Sequence, residues 1–216
     1  DIAIKCLMEL QEKLHVTLGR KRKKVSIGIH DLGKLAGPFN YGTCLPHEPA
    51  FVPLQKDYEM TPEEILNEHP KGMEYAHLLQ DFKSYPLITD SKGEVASLPP
   101  IINGALTTIT DATKDVLIDV TGLDEYAVEA CLNIVAAALV ERGGWIEQLE
   151  IRYPSEKIIV PKMEPRNHQI KNDYLIGLLG FDPGNFAIFK AFRKCAMEPD
   201  LKDDIWHVKV PAYRAD

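Results

Sequence analysis

The stretch "DVLIDVTGLDEYAVEACLNIVAAALVERGG", Asp115–Gly144, sets one strand directly before one long helix. In "VLIDVTG" the pleat sends Val116, Ile118 and Val120 to one face, and Leu117, Asp119 and Thr121 to the other. Asp124 then stands at a helix N-cap. Ala127, Ala130, Cys131, Ile134, Val135, Ala138 and Leu139 give that helix a wide apolar face until Gly143-Gly144 stops it. The strand, the helix and the hairpins around them predict an α+β fold, with a mixed sheet flanked by helices.

Upstream, "SLPPIINGALTTIT" (Ser97–Thr110) packs two prolines, two isoleucines and an Asn-Gly step into one corner. It closes a segment, "YPLITDSKGEVASLPPII", that reads as a hairpin turning at Asp90–Gly93. "MTPEEILNEH" begins a helix: Thr61 is the N-cap, Pro62 takes the first helical position and Glu64 closes a capping box. "KVSIGIHDL" predicts a half-buried strand, with Val25, Ile27 and Ile29 on one face and Ser26, Gly28 and His30 on the other. Residues 2–18 place Ile4, Leu7, Met8, Leu14 and Leu18 near one helical face, and Gly19 suits the position after the helix. "AGPFNYGTCLPHEPAF" is rich in turn formers and predicts a loop with short extended pieces.

Downstream, "WIEQLEIRY" predicts a closing strand for this first domain, residues 1–153. A proline-punctuated connection, "PSEKIIVPKMEPRN", leads to a second domain over residues 160–216. There a short helix ends at Gly180, another follows Asp182-Pro183, and "DIWHVKVPAYR" forms a last strand. This small module is expected to be winged-helix-like and incomplete. The start at Asp1 without Met and the finish at "AYRAD" suggest a piece of a longer polypeptide.

The chain has 216 residues, 45% of them hydrophobic and 26% charged, which is globular rather than disordered. A net charge of −7 disfavours nucleic-acid contact except at a local basic patch. "GRKRKK", Gly19–Lys24, is such a patch, and it reads either as a solvated connection or as an RNA contact. The four cysteines lack metal-ligand spacing, so neither zinc nor a disulfide framework is indicated, and Cys6 and Cys131 are expected as small core residues. No apolar run reaches the roughly 20 residues of a membrane span. The expected compartment is a reducing, cytoplasmic one.

The sequence contains no Walker loop, G-x-S-x-G, H-E-x-x-H or G-x-G-x-x-G motif, so no nucleophile–base pair announces itself. Asp119 and Thr121 project side by side, and Gly122 admits a close approach by backbone or ligand. They are either a polar binding pair or a strand-end carboxylate bonding turn amides. His30-Asp31 likewise either positions a water or makes a structural hydrogen bond.

"MELQEKLHVTLGRKRKKVSIGIHDL", "FVPL", "YPLITDSKG", "SLPPIING", "IDVTG" and "VKVPAYRAD", in that order, resemble the β subunit of archaeal and eukaryotic-type phenylalanyl-tRNA synthetase. The resemblance runs from about Leu7 to the end. It implies an editing domain that hydrolyses tyrosine misattached to tRNA(Phe), followed by part of a winged-helix-like domain. By the family pattern Leu87, Ser97, Asp119 and Thr121 match positions that shape the editing pocket; Asp119 and Thr121 are the candidate catalytic pair, and Leu87, Ser97, Pro100, Asn103 and Gly122 the candidate substrate-binding residues. Ser97 matches with a one-residue offset. Lys21, Arg22 and Lys24 are the candidate tRNA contacts, and no metal site is expected. The implied partners are tRNA(Phe) with its tyrosine or phenylalanine moiety and the synthetase α subunit, with no membrane. No cofactor is expected in this chain, because ATP and Mg²⁺ belong to the synthetic site of the α subunit. After "ING" the family carries an acid, a His and a Ser, where this chain has Ala105, Leu106 and Thr107. The alternative is a non-catalytic scaffold that docks tRNA or subunits.

Overall fold

The computed structural model describes residues 2–215, which fall into two compact units, one up to Val135 and one from Ala136. The first unit opens with α1 (Ile2–Val16), whose buried face is Leu7, Leu14 and His15. His15 is an addition to the expected apolar face. Its Nε2 accepts the Ile27 backbone N–H (2.9 Å) and so ties the helix to β1 (Val25–Asp31). Gly19 is needed for space rather than for a left-handed cap: a Cβ there would lie 2.5 Å from the Val25 carbonyl oxygen. The left-handed residues are instead Arg20, Lys21 and Arg22, with φ of 47°, 56° and 63°.

All seven residues of β1 are buried, so the expected half-buried strand is covered on both faces. The supposed loop that follows contains β2 (Asn40–Cys44). α2 (Pro62–Glu68) starts as the sequence predicts, with Thr61 and Glu64 exchanging both bonds of the capping box. His69 ends α2 and caps α3 (Pro70–Tyr75), its Nδ1 accepting the Lys71 N–H. β3 (Tyr85–Thr89) and β4 (Val95–Leu98) form the expected hairpin. Burial would push the Asp90 carboxyl up, but the Ala36, Lys92 and Glu94 N–H groups hold it below the usual range.

β5 (Ile102–Asn103) completes a four-stranded sheet in the order β2-β3-β4-β5. Met60, Ile65, Leu66, Leu87, Leu98 and Ile101 are central to the core beneath it. β6 (Val116–Gly122) pairs separately with β1, antiparallel, in the register Ser26↔Thr121, Gly28↔Asp119, His30↔Leu117. α4 (Glu125–Val140) follows, and Asp124 caps it by accepting the Ala127 N–H at 2.8 Å. The α+β class is as expected. The strands are spread over four small sheets, and every pairing between them is antiparallel.

"WIEQLEIRY" does not close the first unit. Its β7 (Leu149–Arg152) pairs with β8 (Lys157–Val160), which lies inside the supposed connection, because the Tyr153 N–H bonds Glu156 O and turns the chain back. Next come β9 (Arg166–Lys171), α5 (Asn172–Leu179), α6 (Asn185–Lys194), β10 (Glu198–Lys202) and β11 (Ile205–Val210). Gly180 ends α5 at φ +77°, as expected. The three strands form a sheet in the order β10-β11-β9. Trp206 fills its core, its ring 5.8 Å from that of Phe192 and its Nε1–H donated to Asn172 Oδ1 at 2.9 Å.

Candidate active site

The register of β1 against β6 creates the site. Opposed residues of an antiparallel pair share a face, so Ser26, Gly28, His30, Asp119 and Thr121 all lie on one side of this ribbon. Gly28 sits directly opposite Asp119, and a Cβ at Gly28 would come within 2.1 Å of Asp119 Oδ2 and 2.7 Å of His30 Nε2. The missing side chain is what lets the carboxylate lie across the strand toward the imidazole.

His30 is completely buried, and both of its ring nitrogens are engaged. Nδ1 is 2.8 Å from Thr107 Oγ1, and Nε2 is 2.6 Å from Asp119 Oδ2. The Thr107 hydroxyl lies within hydrogen-bond reach of both Nδ1 and Gly104 O, the latter at 3.1 Å, and so links the imidazole to that backbone carbonyl. The 2.6 Å contact on the other side is a hydrogen bond between the imidazole and the carboxylate. Ser97 Oγ adds a second donor to Oδ2 at 3.3 Å. Among the described residues Oδ1 of Asp119 has no hydrogen-bond partner.

Asp119 and Ser97 border a cleft of about 190 Å³. That exceeds the roughly 150 Å³ void known to hold a benzene ring. Pro99, Pro100, Ile101, Ile102 and Leu54 give it apolar walls, while Ser26, Gly28 and Asn103 contribute further polar or open surface. Met8, Gln11 and Glu12 of α1 also border it, with Gln55 and Lys71. Arg22, which also borders the cleft, braces the Pro-Pro wall: it donates from Nη1 to Ile101 O (2.8 Å) and Pro100 O (3.3 Å), and from Nη2 to Glu12 (3.2 Å). Its guanidinium stacks 4.5 Å above the Tyr75 ring. Burial, then the Arg22 charge, hold the His15 imidazole below its ordinary pKa.

The structure thus brings Asp119, Ser97, Pro100 and Asn103 together, and leaves the other sequence candidates elsewhere. Thr121 shares the face of Asp119 but does not line the cleft. Leu87 is buried in the core of the four-stranded sheet. At Gly122 the close approach is by protein, since a Cβ would lie 2.3 Å from Lys24 O. Asn103-Gly104 does not present free amides: Gly104 N–H bonds Ala96 O and Ala105 N–H bonds Val52 O. In the basic run Arg22 is turned inward, its side chain only 9% exposed, and so is corrected from tRNA contact to wall brace. Lys24 pairs with Asp124 at 3.0 Å, whereas Lys21 is exposed.

Gly28 and Thr107 were missed as site residues, and His30 was left between two readings. The signal for Gly28 was a glycine inside a strand, on the same face as a histidine. Cys131 is fully buried, its thiol pushed up to about 11 by burial, while Cys6 is only half-buried. Among the described residues no group of three or more His, Cys, Asp or Glu side chains is placed to hold a metal ion. Nor is any described helix long and apolar enough to cross a membrane.

The unit is thus an α+β domain in which an antiparallel strand pair holds a carboxylate beside a partly apolar cleft. Residues 2–150 match the family model of the B3/4 domain, and the chain belongs to that family. It is 44% identical, over its whole length, to the phenylalanine–tRNA ligase β subunit of Methanocaldococcus jannaschii. It is 48% identical over 99% of its length to that of Methanosarcina barkeri. The chain spans 39% of the length of each of these relatives. It also superposes on the crystal structure of an N-terminal fragment of the phenylalanyl-tRNA synthetase β subunit from Pyrococcus horikoshii, with a TM-score of 0.93 at 39% identity. That match covers 98% of this chain and 61% of the fragment. The resemblance to the synthetase β subunit therefore extends over the chain as a whole.

Proposed function

We propose that the first unit is an editing domain that hydrolyses tyrosine misattached to tRNA(Phe), working within a synthetase that also contains an α subunit. The observation that carries this reading is Asp119, held by His30 and Ser97 beside a partly apolar cleft. An apolar synthetic pocket rejects an added hydroxyl poorly. A second site that hydrogen-bonds the hydroxyl discriminates against the analogue lacking it by roughly 10⁴-fold, because its polar group would otherwise be left unpaired.

In the reaction a water oxygen attacks the carbonyl carbon of the aminoacyl ester. The bond to the terminal ribose oxygen breaks, that oxygen takes up a proton, and the free amino acid leaves. Such an ester is activated enough that positioned water and oriented hydrogen-bonding groups accelerate its hydrolysis without a covalent nucleophile. Asp119 supplies the acceptor for the substrate's phenolic hydroxyl or ammonium, and Pro100 and Ile101 supply the wall against its ring. We read the second unit as winged-helix-like, with no part in the chemistry.

Asp119→Ala should slow single-turnover deacylation of Tyr-tRNA(Phe) by roughly 10- to 100-fold, the effect of one charge-assisted hydrogen bond. Since it also removes the partner of buried His30, some stability goes with it, and the deciding quantity is the rate per folded molecule. An unchanged rate per folded molecule would make Asp119 a scaffold residue.

A further inference from the structure

We propose that His30, buried and out of reach of any ligand, is a positioning residue that acts on the reaction through Asp119. This rests on the function proposed above for Asp119. Among the described residues, three features of the geometry lead to it. A carboxylate on a strand ordinarily rotates about χ1 and χ2, but here Oδ2 is held by the imidazole at 2.6 Å and by the Ser97 hydroxyl at 3.3 Å. The imidazole is itself fixed from the far side, because Nδ1 is hydrogen-bonded to the Thr107 hydroxyl, which also bonds Gly104 O. Finally, Asp119 meets His30 in space left by the absent side chain of Gly28, where a Cβ would come within 2.1 Å of Oδ2 and 2.7 Å of Nε2.

The result is a relay of fixed orientation from the backbone carbonyl of Gly104, through Thr107 and His30, to Oδ2 of Asp119. Oδ1 is then the carboxylate oxygen left to meet a ligand. Gly104 follows β5 directly, and β5 follows the Pro-Pro turn, so the wall and the anchor of His30 lie on one short continuous segment.

A double-mutant cycle on the 216-residue chain tests this. Single-turnover deacylation of Tyr-tRNA(Phe) is compared for the wild type, His30→Leu, Asp119→Ala and the double variant, with rates expressed per folded molecule. His30→Leu should lower the rate about tenfold, and in the Asp119→Ala background it should have no further effect. His30→Gln, which keeps an N–H within reach of Oδ2, should recover part of the loss. Losses that multiply in the double variant would overturn the proposal, since a merely structural histidine acts independently of Asp119. A full-rate His30→Leu would do the same. If His30→Leu fails to fold, Thr107→Val keeps the imidazole and removes only its anchor. That variant should slow deacylation about threefold, again only while Asp119 is present, and a neutral Thr107→Val would overturn the proposal. Loss in Asp119→Ala without loss in the His30 variants defeats this inference alone. No loss in Asp119→Ala, or no deacylation by the wild type, defeats the proposed function and the inference with it.

Discussion

Asp119 shows how one residue's role depends on a partner far away in sequence. Its place on the polar face of "VLIDVTG" follows from the period of a strand. Its partner His30 lies 89 positions away, and that contact depends on a register, Gly28↔Asp119, which neither strand specifies alone. Thr107 was less legible still, because it reaches His30 from a single 3₁₀ turn at Ala105–Thr107 that follows Gly104. The register makes Gly28 a test of geometry with little change in composition. Adding one methyl collides with Asp119 Oδ2 and His30 Nε2, which are side-chain ends able to move, rather than with backbone. Gly28→Ala should therefore leave the fold intact and displace the carboxylate. The expected outcome is a melting temperature close to that of the wild type with Tyr-tRNA(Phe) deacylation slowed at least about tenfold. A collapsed fold, or an unchanged rate, would show that Gly28 serves the packing of β1 and not the site.

At the scale of elements, legibility follows how local the determining interactions are. The capping box of α2, the Asp90 turn and the glycine ending α5 all involve residues within a few positions of one another, and each formed as the sequence predicts. β9 "RNHQIK" and β10 "EPDLK" were not foreseen: they carry few β-branched residues, and their strand form depends on pairing with β11. The turn at Arg20–Arg22 was also illegible, since three consecutive non-glycine residues at positive φ contradict local preference. That conformation costs roughly 1–2 kcal/mol per residue. It persists because Arg22 must point inward to bond Pro100 O and Ile101 O. Lys21 is exposed and takes the strain without a share in that contact. Lys21→Gly should raise stability by up to about 1 kcal/mol by relieving the left-handed strain, offset in part by the greater freedom of the unfolded chain. Lys23→Gly, one step outside the positive-φ run, should lower it by about 0.5–1 kcal/mol. Urea denaturation of both variants separates local strain from a general effect of glycine.

At the scale of the molecule, the first unit is tied together through buried histidines that act as acceptors, and this couples its stability to pH. His15 takes the Ile27 N–H on Nε2 and so joins α1 to β1. His69 takes the Lys71 N–H on Nδ1 and gives its own hydrogen to Leu54 O, joining the α2–α3 corner to a wall of the cleft. Protonating either ring replaces an acceptor with a donor aimed at a backbone N–H. Burial is the leading cause that holds both imidazoles below their ordinary value of 6.5; the charge of Arg22 on His15, and of Lys56 on His69, adds to it. Because the folded values are depressed, the unfolded chain binds more protons than the folded one as pH falls below about 6.5. Stability is therefore fully present above that value and is lost progressively as pH falls toward the folded values. Each histidine can remove at most about 1.4 kcal/mol per pH unit. The depressed carboxyls of Asp90, Asp124 and Glu64 contribute a second loss only below the ordinary carboxylate range. The urea midpoint should thus fall between pH 7.5 and 5.5, before any of those carboxyls titrates. His15→Gln, whose side-chain oxygen still accepts the Ile27 N–H, should shrink that fall. A midpoint that stays level across this window, dropping only near pH 4, would place the acid sensitivity in the carboxyls and remove the histidines from the account.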